Sequence, residues 1–146
     1  MPQAASILDQ APSSCSIPLH DACVLVSASD HTGVKKAARN LANDLSLVTG
    51  KDLSLRVVEE NGSSASCRHA ILVGSLDQST LLKRLVDEGT VIVDEIAGKW
   101  EAFQTSVVSD VPPWLGIDAA LVIAGSDKRG AIFGAYTLSE QAGVSP

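Results

Sequence analysis

The sequence predicts an α/β domain in which a mixed β-sheet is covered by about three helices. Short apolar, β-branched runs alternate with amphipathic stretches in the order β-α-β-β-α-β-β-β-α. Several strands in this order follow one another without an intervening helix, which favours antiparallel neighbours over a wholly parallel, doubly wound sheet. The 146 residues, 45% of them hydrophobic and 19% charged, are enough for one compact domain.

The first strand and the first helix have the clearest pattern. An apolar run over 22–28 predicts a strand, and apolar residues then recur at helical spacing over 34–48. Asp30 is a candidate N-cap for this helix, and Gly50 ends it. Cys23 begins the apolar run and is predicted to be a small buried hydrophobe. Three cysteines without a CxxC pair indicate no disulfide framework.

The remaining elements are shorter and are bounded by Gly, Ser and Pro. They are predicted as strands over 53–58, 69–74, 90–94, 99–108 and 118–124, and helices over 81–86 and 129–143. Ser79 or Thr80 caps the first of these helices, and Ala97-Gly98 suggests a hairpin turn. Residues 1–18 are predicted to be a flexible leader before the α/β domain at 19–146.

Composition and missing motifs disfavour several classes of function. Lys and Arg number 11 against 17 Asp and Glu, so the net charge of −6 repels nucleic-acid phosphates. Two Trp, two Phe and one Tyr are too few for a base-stacking platform. No signal peptide and no apolar run of membrane-spanning length are visible. The His and Cys residues lack ligand spacing, and neither phosphate-binding glycine motifs nor GxSxG occur, so no metal, nucleotide or serine-hydrolase site is predicted.

A Gly-Ser-Asp-Lys-Arg-Gly turn over 125–130 joins the last strand to the last helix. Ser126 or Asp127 can accept hydrogen bonds from the first N–H groups of that helix. Exposed N–H groups beside Lys128 and Arg129 suit a carboxylate or a phosphate, so one interpretation is that the turn binds an anion. The other interpretation is an ordinary capped helix with two solvated basic side chains.

The closing segment is the most distinctive part of the chain. Residues 120–146 have the sequence ALVIAGSDKRGAIFGAYTLSEQAGVSP, which resembles the end of the N-terminal domain in glycoside hydrolase family 115. Shorter likenesses over 38–50 and 98–103 occur in the family order, and the resemblance extends from about Leu19 to the last residue. It implies an inverting xylan α-1,2-glucuronidase, an enzyme that removes glucuronic acid or its 4-O-methyl ether from xylan.

The resemblance also implies that this chain is only a part of such an enzyme. In the family, the segment matching Gly143–Pro146 leads into a (β/α)8 barrel that carries the acid and base carboxylates. The implied partner is therefore a downstream barrel of the same polypeptide, and the isolated chain is expected to be inactive. The resemblance implies glucuronoxylan as the substrate of the full enzyme, no cofactor, and an extracellular location.

Candidate substrate-binding residues come from two segments of the resemblance. They are Ser126, Asp127, Lys128, Arg129, Trp100 and Glu101. The two basic residues suit a uronate carboxylate, whereas Trp100 and Glu101 are candidates to reach a neighbouring barrel's pocket. The acids in these segments, Glu140 included, are also explained as a helix cap or as surface charges, and no catalytic residue is assigned. Two alternatives stay open: a separate module that binds an anion or acidic sugar, and a structural domain that docks on another chain.

Overall fold

The computed structural model describes residues 22–59 and 67–142, and there it forms one five-stranded sheet covered by three α-helices. The strands are β1 (Ala22–Ser27), β2 (Ser54–Val58), β3 (His69–Ser75), β4 (Phe103–Val108) and β5 (Ala119–Gly125). The helices are α1 (Thr32–Thr49), α2 (Thr80–Asp87) and α3 (Lys128–Gln141), with one turn of 3-10 helix at Pro113–Leu115. The predicted leader at 1–18 lies outside the described residues, as do residues 60–66 and 143–146.

The sheet is mixed, which confirms the predicted fold class. Its strand order is β2-β1-β3-β5-β4, and β4 is antiparallel to β5 whereas the other neighbours are parallel. The expectation of antiparallel neighbours was therefore wrong for β2 and β3. These strands are consecutive in the chain, but β1 lies between them and pairs with both in parallel. Adjacency in sequence did not mean adjacency in the sheet.

Two apolar cores hold the helices on opposite faces of the sheet. Helices α1 and α3 pack on one face, and α2 packs on the other together with the turn that contains Val91, Val93 and Ile96. The central strands β1 and β3 are almost completely buried, as expected for strands covered on both faces. The four parallel strands thus form a doubly wound arrangement, which the sequence pattern had disfavoured.

The predicted hairpin over 90–108 does not form. Val91 and Val93 are buried on either side of an exposed Ile92, an alternation typical of a strand. Here that pattern belongs to an irregular turn, in which the N–H groups of Ile96 and Ala97 both bond to the carbonyl of Val93. Strand β4 consequently begins at residue 103 instead of 99.

Helix ends match the predictions at three of four sites. Gly50 ends α1 with the left-handed φ of 73°, and the Ser79 hydroxyl accepts the N–H of Leu82 at 3.0 Å at the start of α2. Asp127 caps α3. Asp30 does not cap α1, because His31 is the N-cap residue and the Asp30 carboxylate bonds to β3 instead.

Cys23 is buried, as predicted, but it forms a disulfide with Cys67, which corrects the expectation of no disulfide. Their Cα atoms lie 6.1 Å apart, within the usual range for such a bond. The two residues are 44 positions apart in the chain, so no local sequence motif predicts the pair. Among the described residues, no helix combines the length and apolarity needed to cross a membrane.

Candidate functional site

The six residues predicted from the sequence lie together at the corner where β5 turns into α3. Strand β4 begins beside this corner, with Phe103 opposite Gly125 in the antiparallel register. The Ser126 N–H donates to the Ala102 carbonyl at 2.8 Å, and the Ser126 hydroxyl accepts the N–H of Ala102 at 3.0 Å. These two bonds join the segment that carries Trp100 and Glu101 to the turn that carries the basic residues.

Asp127 is the centre of the corner. One of its carboxylate oxygens, Oδ1, accepts the N–H of Gly130 at 2.8 Å and so caps α3. The other, Oδ2, accepts the N–H of Glu101 at 3.0 Å. Glu101 has a left-handed backbone, with φ of 52°, and this bond holds it in place. The Asp127 carboxylate therefore already accepts the Gly130 N–H, one of the donors that an external anion would use at this helix end.

The two basic side chains at the corner differ in their partners. Arg129 Nη1 lies 2.9 Å from Glu101 Oε2, an exposed ion pair that contributes at most about 1 kcal/mol. Lys128 is exposed, and its side chain passes beside Gly33 in the first turn of α1. Among the described residues, Lys128 has no hydrogen-bond acceptor or carboxylate partner, so its ammonium group is available to a ligand.

Gly125 and Gly130 let the backbones of the corner approach closely. A Cβ atom on Gly130 would collide with the carbonyl oxygen of Ala102, and one on Gly125 would collide with the backbone of Ala131. No side chain larger than hydrogen fits at either position without moving backbone. Close backbone packing thus explains the glycines at both ends of the turn over 125–130.

Aromatic side chains and a groove extend from this corner along α3. Trp100 is 87% exposed, and Phe133 and Tyr136 on α3 are 45% and 46% exposed. A groove of about 150 Å³ lies between α3 and β4. It is lined by Phe103, Thr105, Leu121, Gly134, Thr137, Leu138 and Gln141. The face of β4 that points toward α3 is therefore only partly covered.

A second polar cluster, which the sequence analysis did not propose as a site, lies where β1 and β3 end. Helices α1 and α2 leave the sheet there on opposite faces, the place where open α/β sheets usually bind ligands. The buried Asp30 carboxylate accepts hydrogen bonds from the N–H of Ser75 at 3.0 Å and from the Ser75 hydroxyl at 2.7 Å. Polar residues directly after two buried strands, as at 27–31 and 75–80, are the signal that points to this cluster.

Hydrogen bonds close the crevice between these two strand ends. The Ser29 hydroxyl donates to the Gln78 carbonyl at 2.7 Å, and His31 Nε2 lies 3.1 Å from Asp77. Burial alone raises the pKa of Asp77, but hydrogen bonds from the Ser75 and His31 side chains and the charge of His31 outweigh it. The pKa of Asp77 is therefore held below its ordinary value. These bonds join the two loops and explain the cluster as a structural connection.

No group of three or more His, Cys, Asp or Glu side chains suited to a metal ion occurs within 22–59 and 67–142. The described part of the chain thus offers two polar sites: the corner around Asp127 and the closed crevice around Asp30.

No protein-family model matches the chain, and no curated protein matches it. Among solved structures, the fold is similar to that of BtGH115A, a family 115 4-O-methyl-α-glucuronidase with specificity for decorated arabinogalactans. The match has a TM-score of 0.61 and 25% sequence identity over 87% of this chain. CpGH84D matches 85% of this chain with a TM-score of 0.47 and 17% identity, over 18% of its own chain.

The chain spans 14% of the length of BtGH115A. The protein thus has the fold of a small α/β domain that occurs within a much larger glycosidase.

Proposed function

We propose that this chain is an accessory, non-catalytic N-terminal domain of an α-glucuronidase. The observation that carries this proposal is the structural likeness to BtGH115A over 87% of the chain. In the proposed enzyme the domain supports a catalytic (β/α)8 barrel of the same polypeptide, and the corner around Asp127 lies at the rim of the substrate site. The Ser126-to-Arg129 turn, Trp100 and Glu101 are the residues we propose to approach the substrate.

The bonds of the corner acids support a non-catalytic role for this domain. Glycoside hydrolysis requires one carboxyl group that donates a proton and a second carboxylate that activates water. Each Asp127 carboxylate oxygen instead accepts a backbone N–H, and Glu101 is paired with Arg129. Both acids hold the corner together, so we place the acid and the base outside this domain.

The proposed substrate group is a glucuronic acid, or its 4-O-methyl ether, attached to a polysaccharide. The sequence resemblance implies xylan as the polymer, whereas BtGH115A has specificity for decorated arabinogalactans. The uronic acid is the feature that both have in common, and its carboxylate suits Lys128 and Arg129. An extracellular location is part of the proposal and is supported by the Cys23–Cys67 disulfide, since such bonds persist in oxidising compartments.

The isolated chain is expected to release no uronic acid from glucuronoxylan or from a uronic-acid-capped arabinogalactan. The measurement is the free uronic acid after long incubation, with an active α-glucuronidase as the positive control on both polymers. The sequence of the gene after codon 146 provides the parallel test. A barrel-encoding continuation supports the proposal, whereas strong release of uronic acid by the isolated chain contradicts it.

A second candidate function is a separate module that binds an acidic sugar without catalysis. The exposed Lys128, which has no partner among residues 22–59 and 67–142, lies beside Arg129 and favours it. If it is correct, glucuronate binds saturably to the isolated chain, and the double variant Lys128→Ala/Arg129→Ala weakens binding about tenfold or more, because it removes both charge-assisted contacts. Calorimetry or chemical-shift titration with glucuronate measures this.

The matched control for that titration is Lys36→Ala/Arg39→Ala, which removes two exposed positive charges from α1. It should leave glucuronate binding unchanged. An equal loss in the control variant would indicate nonspecific attraction to positive charge, and no binding by the parent protein would rule out the second candidate.

A further inference from the structure

Strand β4 forms one edge of the sheet that the described residues build. In an antiparallel pair, successive residues direct their N–H and C=O groups alternately toward and away from the partner strand. Ala102 bonds to Ser126 on the β5 side, whereas the Gly125 carbonyl bonds to Leu76 on the β3 side. By this alternation Phe103, Thr105 and Val107 direct their backbone groups away from β5. Within the described residues, no other backbone segment bonds to them.

The β4 edge lacks the residue types that normally prevent strands from pairing between molecules. Its sequence, FQTSVV, contains no charged residue, no proline and no glycine. The opposite edge, β2, carries the exposed Arg56 and is followed by Glu59. Natural proteins use such charges to keep edge strands apart, so the two edges differ in their tendency to associate.

We propose that β4 pairs in antiparallel orientation with β4 of a second copy of this chain. The strand is self-complementary when the two-fold axis passes through Thr105. The outward backbone groups of Thr105 then face those of the same residue in the second copy, and Phe103 lies opposite Val107 of that copy. Aromatic residues opposite β-branched residues are favourable cross-strand pairs. The result is one continuous ten-stranded sheet across the two copies.

The surroundings of β4 also suit a second copy. The groove between α3 and β4 lies on the same face of the sheet as the side chains of Phe103 and Thr105. Helix α3 covers this face only partly, and a strand added beside β4 would continue it. On the other face, the side-chain amide of Gln104 donates a hydrogen bond to the carbonyl of Ile92 at 2.7 Å. This bond places the Ile92 side chain, which is 70% exposed, beside the edge. The net charge of −6 per copy opposes association, but physiological salt screens it beyond about 8 Å.

Analytical ultracentrifugation of the purified chain, from about 1 µM to about 1 mM, is the test. The parent protein is expected to form a concentration-dependent dimer. Thr105→Pro removes one outward N–H from each copy without touching the β4–β5 bonds, so the dissociation constant should rise about tenfold or more. Circular dichroism checks that the variant keeps its fold. A parent protein that stays monomeric throughout this range overturns the proposal.

Charged variants test the register and do not depend on the proline variant. Thr105→Lys and Thr105→Glu each place like charges opposite each other at the two-fold axis, so each variant alone should be monomeric. An equimolar mixture of the two should recover the dimer. Ser54→Lys adds the same charge to the exposed outer strand β2 and should leave the dimer intact. Failure of the mixture to associate, or dissociation caused only by Ser54→Lys, contradicts the proposal.

Discussion

Replacement of Gly130 by alanine is expected to lower the free energy of unfolding by about 3 kcal/mol or more. The new Cβ atom would collide with the carbonyl oxygen of Ala102, which is backbone and cannot rotate away. Ala102 is also held by two hydrogen bonds to Ser126. To accept a methyl group, the chain must therefore break the contact between the segment before β4 and the start of α3.

The matched control for Gly130 is Gly33 in the first helix. An added Cβ there meets the terminal methyl of Ile132 at 3.3 Å, at the end of a flexible side chain. Alanine is favoured over glycine by about 1 kcal/mol inside a helix and by less in the first turn, and the Ile132 side chain must shift slightly, so Gly33→Ala should change the free energy of unfolding little. Urea denaturation of the two variants beside the parent measures both effects. Equal stabilities would mean that the corner is not packed as described.

Reduction of the Cys23–Cys67 disulfide is expected to lower the free energy of unfolding by about 2–4 kcal/mol. The bond closes a segment of 44 residues, which contains α1 and β2, and so restricts the unfolded chain. Cys23 is buried in the same apolar core as Leu72 and Leu82, so reduction also leaves a thiol in an apolar environment without a covalent partner. Denaturation with and without reductant measures the loss.

Two variants control this experiment. Reductant should have no further effect on Cys23→Ala/Cys67→Ala, and Cys15→Ala should retain the sensitivity of the parent, because Cys15 does not take part in the bond. Mass spectrometry of unreduced peptides identifies the linked pair. Detection of a Cys15-linked peptide, or of three free thiols in the oxidised protein, would contradict the pairing.

Elements with strong local signals were predicted well. The apolar spacing over 34–48 and the following Gly50 located α1 and its end, because a helix periodicity is set by neighbours within four residues. The six candidate residues were named from two separate segments of the family resemblance, and the fold brings these segments together at one corner. Their role in substrate binding stays a prediction.

Interactions between distant parts of the chain were not visible in those patterns. Asp30 follows a strand and precedes a helix, which is the position of an N-cap, but β3 brings the Ser75 N–H and hydroxyl within reach of its carboxylate. The alternation at 91–93 resembles a strand because Val91 and Val93 are buried, yet they are buried beneath the sheet and not within it. In both places a long-range contact outweighed a local preference.

Local sequence was thus sufficient for the α/β class and the three helices, since helix caps and apolar periodicity act over a few residues. Only the folded chain decided that β1 lies between β2 and β3, that Cys23 bonds Cys67, and that β4 is an outer strand of the described sheet. These features depend on which segments meet in space, and the free energy that selects them comes from burial of both sheet faces at once.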